Sequence, residues 1–178
     1  MDVGCGEAGI AGIVEMAGGR YMGLDVNFPS LVRAGKNRSV AAGEGGRLPF
    51  RDGMFDMVLL RAVLTVLVET PLVLAVLREA LRVCRGVLGI QDFLQTWEDS
   101  RYAARYEEGL SLGRVRGVFP VRPEGDGGNL LYWARHFTPD ELRNLIREAG
   151  GRVVHLSEAP APTRSGNIIR GITLLATA

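Results

Sequence analysis

Short apolar runs of strand length alternate along the chain with stretches in which apolar residues recur every three or four positions, and glycines fall at the junctions. A strand-then-helix order repeated in this way predicts an α/β protein with a mostly parallel sheet. Residues 1–3 read as the tail of a first strand running into a glycine turn, and 8–17 as the helix after it. A short strand at 21–24 ends on Asp25, and Pro29 opens a short helix reaching about Lys36, since proline is favoured in a first helical turn. Residues 39–42 predict a third strand and 55–60 a fourth. Between 72 and 85, Leu74, Leu77, Leu81 and Cys84 lie at helical spacing with Arg78, Glu79 and Arg82 between them. Gly86 is expected to close that helix. Residues 87–90 then form a buried fifth strand that delivers Gln91 and Asp92 to its C-terminal edge.

The periodicity weakens from 94 to 135. A polar aromatic stretch at 97–106 precedes a Gly/Pro-rich run from 109 to 128, and an irregular insertion of that length is expected to be a lid, a binding element or a mobile loop. Regularity returns at Thr138, an N-cap followed by Pro139 at the first helical position and by Glu141, which completes a capping box. That helix is expected to run to Ala149 and to stop at Gly150 and Gly151. Two last strands, 153–156 and 168–176, flank a Pro-rich loop. No internal repeat divides the chain, which reads as one domain, 1–178, with its insertion at about 94–135.

Composition narrows the picture. With 178 residues, 47% hydrophobic and 23% charged, the chain can build one sizeable core. Twenty-one basic residues against twenty acidic ones leave a net charge of +1, so no global field draws it to nucleic acid or an anionic membrane. The two cysteines, Cys5 and Cys84, stand outside any CxxC or Cys/His cluster, which argues against a structural zinc or a disulfide framework and for a reducing, cytoplasmic setting. The apolar stretch 57–77 is broken by Arg61, Glu69 and Pro71, short of the roughly 20 apolar residues a membrane span requires. No signal peptide is expected ahead of the first strand.

The candidate chemistry begins at the first turn. Gly4 and Gly6 carry no Cβ, so a strand ending there lets backbone amides approach a ligand closely at the head of a helix. Gly4, Gly6 and Gly9 satisfy GxGxxG, and Asp25 follows at the distance of a ribose-binding carboxylate, which taken alone suggests a nicotinamide or flavin site. Asp2 separates the readings. An acid two residues before the first glycine suits a cofactor with a cationic amino-acid end.

From Asp2 through Gly4, Gly6 and Ala8, the turn resembles motif I of class I S-adenosylmethionine-dependent methyltransferases, of the methyltransferase type 11 kind, with Ala8 in the third glycine's place. Residues 21–25, ending on Asp25, look like the family's second motif. Ala42, Gly43, Glu44, Gly45, Leu48, Pro49 and Phe50, then Phe55 and Asp56, are similar to its Gly-Asp-Ala-x-x-Leu-Pro-Phe block and the start of its fourth strand. Residues 79–83 resemble the helix before the fifth strand, and 137–151 the later Phe-Thr-x-x-Glu-Leu helix. The resemblance covers most of 2–93 and 136–176, in order. It implies a three-layer Rossmann-like sandwich with a seven-stranded sheet, parallel except for its last strand. It also implies S-adenosylmethionine as cofactor, S-adenosylhomocysteine as product, and Asp2, Gly4, Cys5, Gly6, Asp25, Val26, Glu44, Gly45, Leu48 and Arg61 as cofactor-binding residues. Family members carry a fuller first strand and helices before it, whereas motif I here directly follows Met1. The acceptor's roof is therefore expected from 94–135 or a second subunit, which leaves a homo-oligomer open.

Methyl transfer from a sulfonium is an in-line displacement that depends chiefly on placing the acceptor, and only a hydroxyl acceptor calls for a base. Open α/β sheets bind ligands at the C-terminal edges of their strands. That selects Arg61, Ala62 and Val63 after the fourth strand, and Gln91, Asp92 and Phe93 after the fifth. Arg61 either meets a ligand or forms a structural ion pair with Asp25 or Asp92, because an unpaired buried guanidinium is costly. His136, beside the insertion, is the second catalytic candidate. His155 reads as a packed or surface residue, and Tyr102, Tyr106, Tyr132 and Trp133 as packing of the insertion or a stacking surface. The leading reading is a methyltransferase acting on a small molecule. A non-catalytic cofactor-binding or scaffold member and a nicotinamide oxidoreductase are its rivals.

Overall fold

The computed structural model describes residues 1–178 except 36–37, 124–127 and 164–165, so the far end of the second predicted helix, at Lys36, lies outside the described residues. Seven strands form the main sheet: β1 (Asp2–Val3), β2 (Gly23–Asp25), β3 (Val40–Ala42), β4 (Phe55–Arg61), β5 (Cys84–Phe93), β8 (Arg152–Pro162) and β9 (Ile168–Thr177). Their order is β3-β2-β1-β4-β5-β9-β8. β1 to β5 pair in parallel, and β9, the last in the chain, runs antiparallel to both its neighbours. β8 closes one edge and carries Pro160 and Pro162, residues tolerated where one side of a strand needs no ladder donor.

Helices cover both faces. α3 (Thr70–Val83) and α5 (Pro139–Glu148) bury Val73, Leu77, Leu142 and Ile146 against Val58, Leu60, Leu88, Ile90 and Leu174 of β4, β5 and β9, forming the main core. On the other face α1 (Ala11–Met16) and α2 (Phe28–Ala34) enclose a smaller cluster of Cys5, Ala8, Ala11, Tyr21 and Leu31 over β1 to β3. None of these helices is long and apolar enough to cross a membrane.

Four local expectations need correction. α1 starts at Ala11 rather than residue 8, because Gly4, Gly6 and Ala8 all have positive φ and keep the chain in a loop. α3 ends at Val83 and passes straight into β5. Gly86 does not close it but lies inside the strand, where a Cβ would collide with the Asp56 carbonyl oxygen beside the bulge at Phe55/Met57. The insertion is far more regular than its composition suggests: it holds α4 (Ser100–Ser111), capped by the Asp99 carboxylate, and a hairpin of β6 (Val118–Val121) with β7 (Tyr132–Arg135). Finally, β8 runs on to Pro162, well beyond the expected 156.

The insertion has a core of its own. Tyr102, Tyr106, Phe119, Ala134 and Ile169 are buried together with Phe93 and Trp97 packed against them, which ties it to the ends of β5 and β9. The Thr138 capping box is formed as expected, with both reciprocal hydrogen bonds present.

Candidate functional site

A cavity of about 650 Å³ opens at the C-terminal edges of β1, β4 and β5. Asp2, Gly4, Cys5 and Gly6 line one end, Arg61, Gln91, Asp92 and Phe93 the middle, and residues 159–162 and 171–173 of the β8–β9 hairpin the far wall. A second cavity, about 680 Å³, lies at the opposite edge, among the starts of β4 and β5 and beneath α1.

The glycine loop is shaped by what surrounds it. Gly4 has φ +73°, and a Cβ there would come within 2.5 Å of Val63 Cγ2, so only glycine lets the loop pass the segment after β4. The amides of Gly4 and Cys5 both donate to the Leu24 carbonyl, at 2.7 and 3.1 Å. The Gly6 amide donates to Asp25 Oδ2 at 2.7 Å, and the Asn27 amide to Asp25 Oδ1 at 2.8 Å. The expectation that this loop offers its amides to a ligand is therefore corrected. Three N–H groups at its head are engaged within the protein, whereas a diphosphate-binding turn directs such donors at its ligand. What the loop offers is close approach, since the position of a Gly6 Cβ is open space.

Asp2 sits beneath the loop, 3% exposed, and accepts a hydrogen bond from Tyr21 Oη at 2.9 Å. Burial pushes its carboxyl above the ordinary range, while the Tyr21 hydrogen bond and the charge of Arg61 pull it back down. Burial likewise pushes the Cys5 thiol up to about 11, leaving it protonated, and raises the Tyr21 phenol. Asp92 turns both carboxylate oxygens onto backbone, accepting from the Phe93 amide at 2.9 Å and the Thr65 amide at 3.2 Å. It thereby anchors the short 3-10 turn Leu64–Val66 that follows β4.

Of the sequence-predicted residues, the fold brings Asp2, Gly4, Cys5, Gly6 and Arg61 onto the cavity. Asp25 stands directly behind Gly6, and Val26, beside it, is 70% exposed. Glu44 is exposed and is not among the cavity-lining residues. Leu48 belongs to the main core, with its amide bonded to Glu79, and a Cβ on Gly45 would press on Val3, so neither reaches the cavity. Arg61 forms neither expected ion pair: it is exposed and its Nε donates to Gln91 Oε1 at 3.3 Å. His136 is buried among Phe93, Tyr102 and Phe119, with Nδ1 2.7 Å from Tyr106 Oη. Burial drives its pKa down to about 3, and the cavity wall does not include it. His155 is exposed on β8.

The hairpin wall escaped sequence reasoning. Ile172 and Thr173 reach the site only because β9 pairs antiparallel with the end of β5, setting Gln91 opposite Thr173 and Asp92 opposite Ile172. Among the described residues no group of three or more His, Cys, Asp and Glu could hold a metal ion.

Sheet order, a cleft where the strand order reverses and an acid-headed glycine turn with its leading amides engaged define a Rossmann-like α/β protein not shaped around a diphosphate. Residues 1–86 match the family model described as a methyltransferase domain. A S-adenosylmethionine-dependent methyltransferase of Methanosarcina mazei, 25% identical, superposes with a TM-score of 0.92 over 98% of this chain and 89% of its own. The 1,6-didemethyltoxoflavin-N1-methyltransferase of Burkholderia thailandensis, solved with 1,6-didemethyltoxoflavin and S-adenosylhomocysteine, is 19% identical, with a TM-score of 0.69 over 99% of this chain and 70% of its own. A Haloferax volcanii methyltransferase solved in complex with a methyltransferase activator is 17% identical, with a TM-score of 0.68 over 99% and 80%. No curated protein matches the chain. Over residues 1–86 the chain is thus similar to a methyltransferase domain, and its fold is that of a S-adenosylmethionine-dependent methyltransferase.

Proposed function

We propose that the protein transfers a methyl group from S-adenosylmethionine to a small-molecule acceptor. The observation that carries this reading is the single cavity joining the Asp2–Gly6 end to a separate wall of β5 and hairpin residues. One end suits the cofactor and the other leaves room for an acceptor beside it. The neighbour with a small heterocycle and S-adenosylhomocysteine bound supports the same division.

The residues present fit such a cofactor. Asp2 offers a buried carboxylate that would suit an ammonium group, Gly6 leaves the space above the loop open, and Asp25 keeps lone pairs for ribose hydroxyls beyond the two amides it already accepts. Val26 offers an apolar surface beside them. Bound S-adenosylmethionine supplies an electrophilic methyl on a positively charged sulfur. The protein's part is then to align an acceptor atom behind that methyl and to keep water from its path. Phe93, Pro160, Pro162 and Ile172 provide the apolar wall for this. His136 is walled into an aromatic cluster, so this reading assigns it no proton transfer. The same geometry would serve a family member that binds the cofactor without turnover; Ala8, whose methyl occupies the third glycine's place at φ 57°, is the observation that favours that second reading.

Titration calorimetry with S-adenosylmethionine, S-adenosylhomocysteine and NAD tests the reading. Both adenosyl ligands should bind and NAD should not; binding of NAD alone sinks it. Asp25→Ala should weaken S-adenosylmethionine by about 1–3 kcal/mol, the scale of lost charge-assisted hydrogen bonds. An unchanged dissociation constant would remove Asp25 from the site.

A further inference from the structure

The middle of the cavity holds a row of polar side chains. Arg61, Gln91 and Thr173 are register partners across three adjacent strands, Arg61 opposite Gln91 and Gln91 opposite Thr173, and all three line the cavity. Cross-strand partners project from the same face of a sheet, and the bond from Arg61 Nε to Gln91 Oε1 shows that they do so here.

The row is rich in donors. Gln91 holds the guanidinium through Nε, and no described carboxylate forms an ion pair with Arg61, whose charge reaches Asp2 only from a distance. With its Oε1 occupied by Arg61, Gln91 has its amide N–H groups to give, and Thr173 adds a hydroxyl. The neighbouring acids do not compete: Asp92 is turned onto the Thr65 and Phe93 amides, Asp2 is bonded to Tyr21, and Glu7 is paired with Arg33. A planar fork of N–H groups flanked by further donors matches a ligand group that only accepts hydrogen bonds, which is what an ionised carboxylate is. Beside the row, Phe93, Pro160 and Ile172 are apolar.

We propose that Arg61, Gln91 and Thr173 form a carboxylate-binding subsite, and that the methyl acceptor is a small carboxylic acid with an apolar body lying against the hairpin wall. This rests on the methyltransferase reading and adds the substrate class to it.

Benzoate and benzamide share a shape and differ in charge, so they serve as probes for protein already saturated with S-adenosylhomocysteine, followed by calorimetry or ligand-observed NMR. Benzoate should bind about tenfold or more tightly than benzamide. Arg61→Gln should abolish that preference, and Thr173→Val should weaken benzoate severalfold, while both variants keep wild-type affinity for S-adenosylhomocysteine. Equal binding of the two probes to the wild type overturns the subsite. So does an Arg61→Gln variant that loses S-adenosylhomocysteine but still binds 5′-methylthioadenosine like the wild type, because the guanidinium would then hold the cofactor's own carboxylate. Failure of the wild type to bind S-adenosylhomocysteine at all brings down the methyltransferase reading, and this one with it. Normal cofactor binding without benzoate preference removes only the subsite.

Discussion

Gly4 and Val63 form a contact that no single sequence position announces. Gly4 needs its φ of +73°, and the absence of its Cβ makes room for Val63 Cγ2. Two costs are therefore stacked in Gly4→Ala: the left-handed backbone, about 1–2 kcal/mol, and overpacking of a further 1–3 kcal/mol, roughly. They can be separated. Val63→Ala removes the methyl that the new Cβ would strike, and the remaining Val63 Cβ lies 3.7 Å away, an ordinary contact. In a double-mutant cycle followed by urea denaturation, the pair should be less destabilised than the sum of the singles by about 1–2 kcal/mol. Strict additivity would mean that the loop moves instead of pressing on the segment after β4. Ala8 shows the converse case, a residue with φ 57° whose methyl is kept because it is buried in the cluster beneath α1.

At the level of elements, α5 illustrates how much one cap can hold. Thr138 accepts the Glu141 amide at 3.1 Å, and Glu141 returns a bond to the Thr138 amide at 2.6 Å. Glu141 does more, accepting from Gln95 Nε2 at 3.2 Å and facing Arg135, whose side chain is 7% exposed, at 3.5 Å. Thr138→Ala should cost about 1 kcal/mol, the usual value of an N-cap. Glu141→Ala should cost about 2–3 kcal/mol, because it strands a buried guanidinium as well as uncapping the helix. Thermal melts of the two variants give the order, and equal losses would mean that Arg135 is served well enough by Val68 and Thr70. Signals as local as this cap make α5 legible in sequence, where a helix from Pro139 to Ala149 is expected and Pro139–Glu148 is found. α4 was missed because its buried positions, Tyr102, Tyr106 and Gly109, are aromatic or glycine, so its helical spacing did not stand out as an aliphatic stripe does. Gly86 read as a helix stop because its real constraint is the Asp56 carbonyl on another strand. The same division holds in the site: Asp2, Gly4, Gly6 and Asp25 are local to two strand ends, whereas the hairpin wall depends on the register of β9 against β5, which no short window of sequence contains.

For the molecule as a whole, two buried titrating groups act on stability in opposite directions. Burial holds Asp92 up at about 7 from an ordinary 3.8, despite the Phe93 and Thr65 amides. Its folded carboxyl keeps a proton that the unfolded chain gives up, so its contribution is full below about pH 4 and is lost as pH rises through 7. Burial, with a smaller push from Arg105, lowers His136 from 6.5 to about 3. The unfolded chain then binds the extra proton, and that contribution is full above 6.5 and is lost as pH falls toward 3. One proton in each direction leaves the wild type nearly flat between about pH 4 and 6.5, with the raised Asp2 tilting it slightly toward acid. Asp92→Asn keeps an acceptor oxygen for one of the two backbone amides and removes the titration, so the bond it loses lowers stability alike at every pH. Relative to wild type, its unfolding free energy should therefore climb by about 1.4 kcal/mol per pH unit between roughly 4 and 7, the value of one proton. Urea midpoints taken at half-unit pH steps decide the matter. Diverging curves place a protonated Asp92 in the cavity wall below about pH 7, whereas parallel curves would show that its backbone hydrogen bonds outweigh burial and hold it ionised beside Arg61 and Gln91.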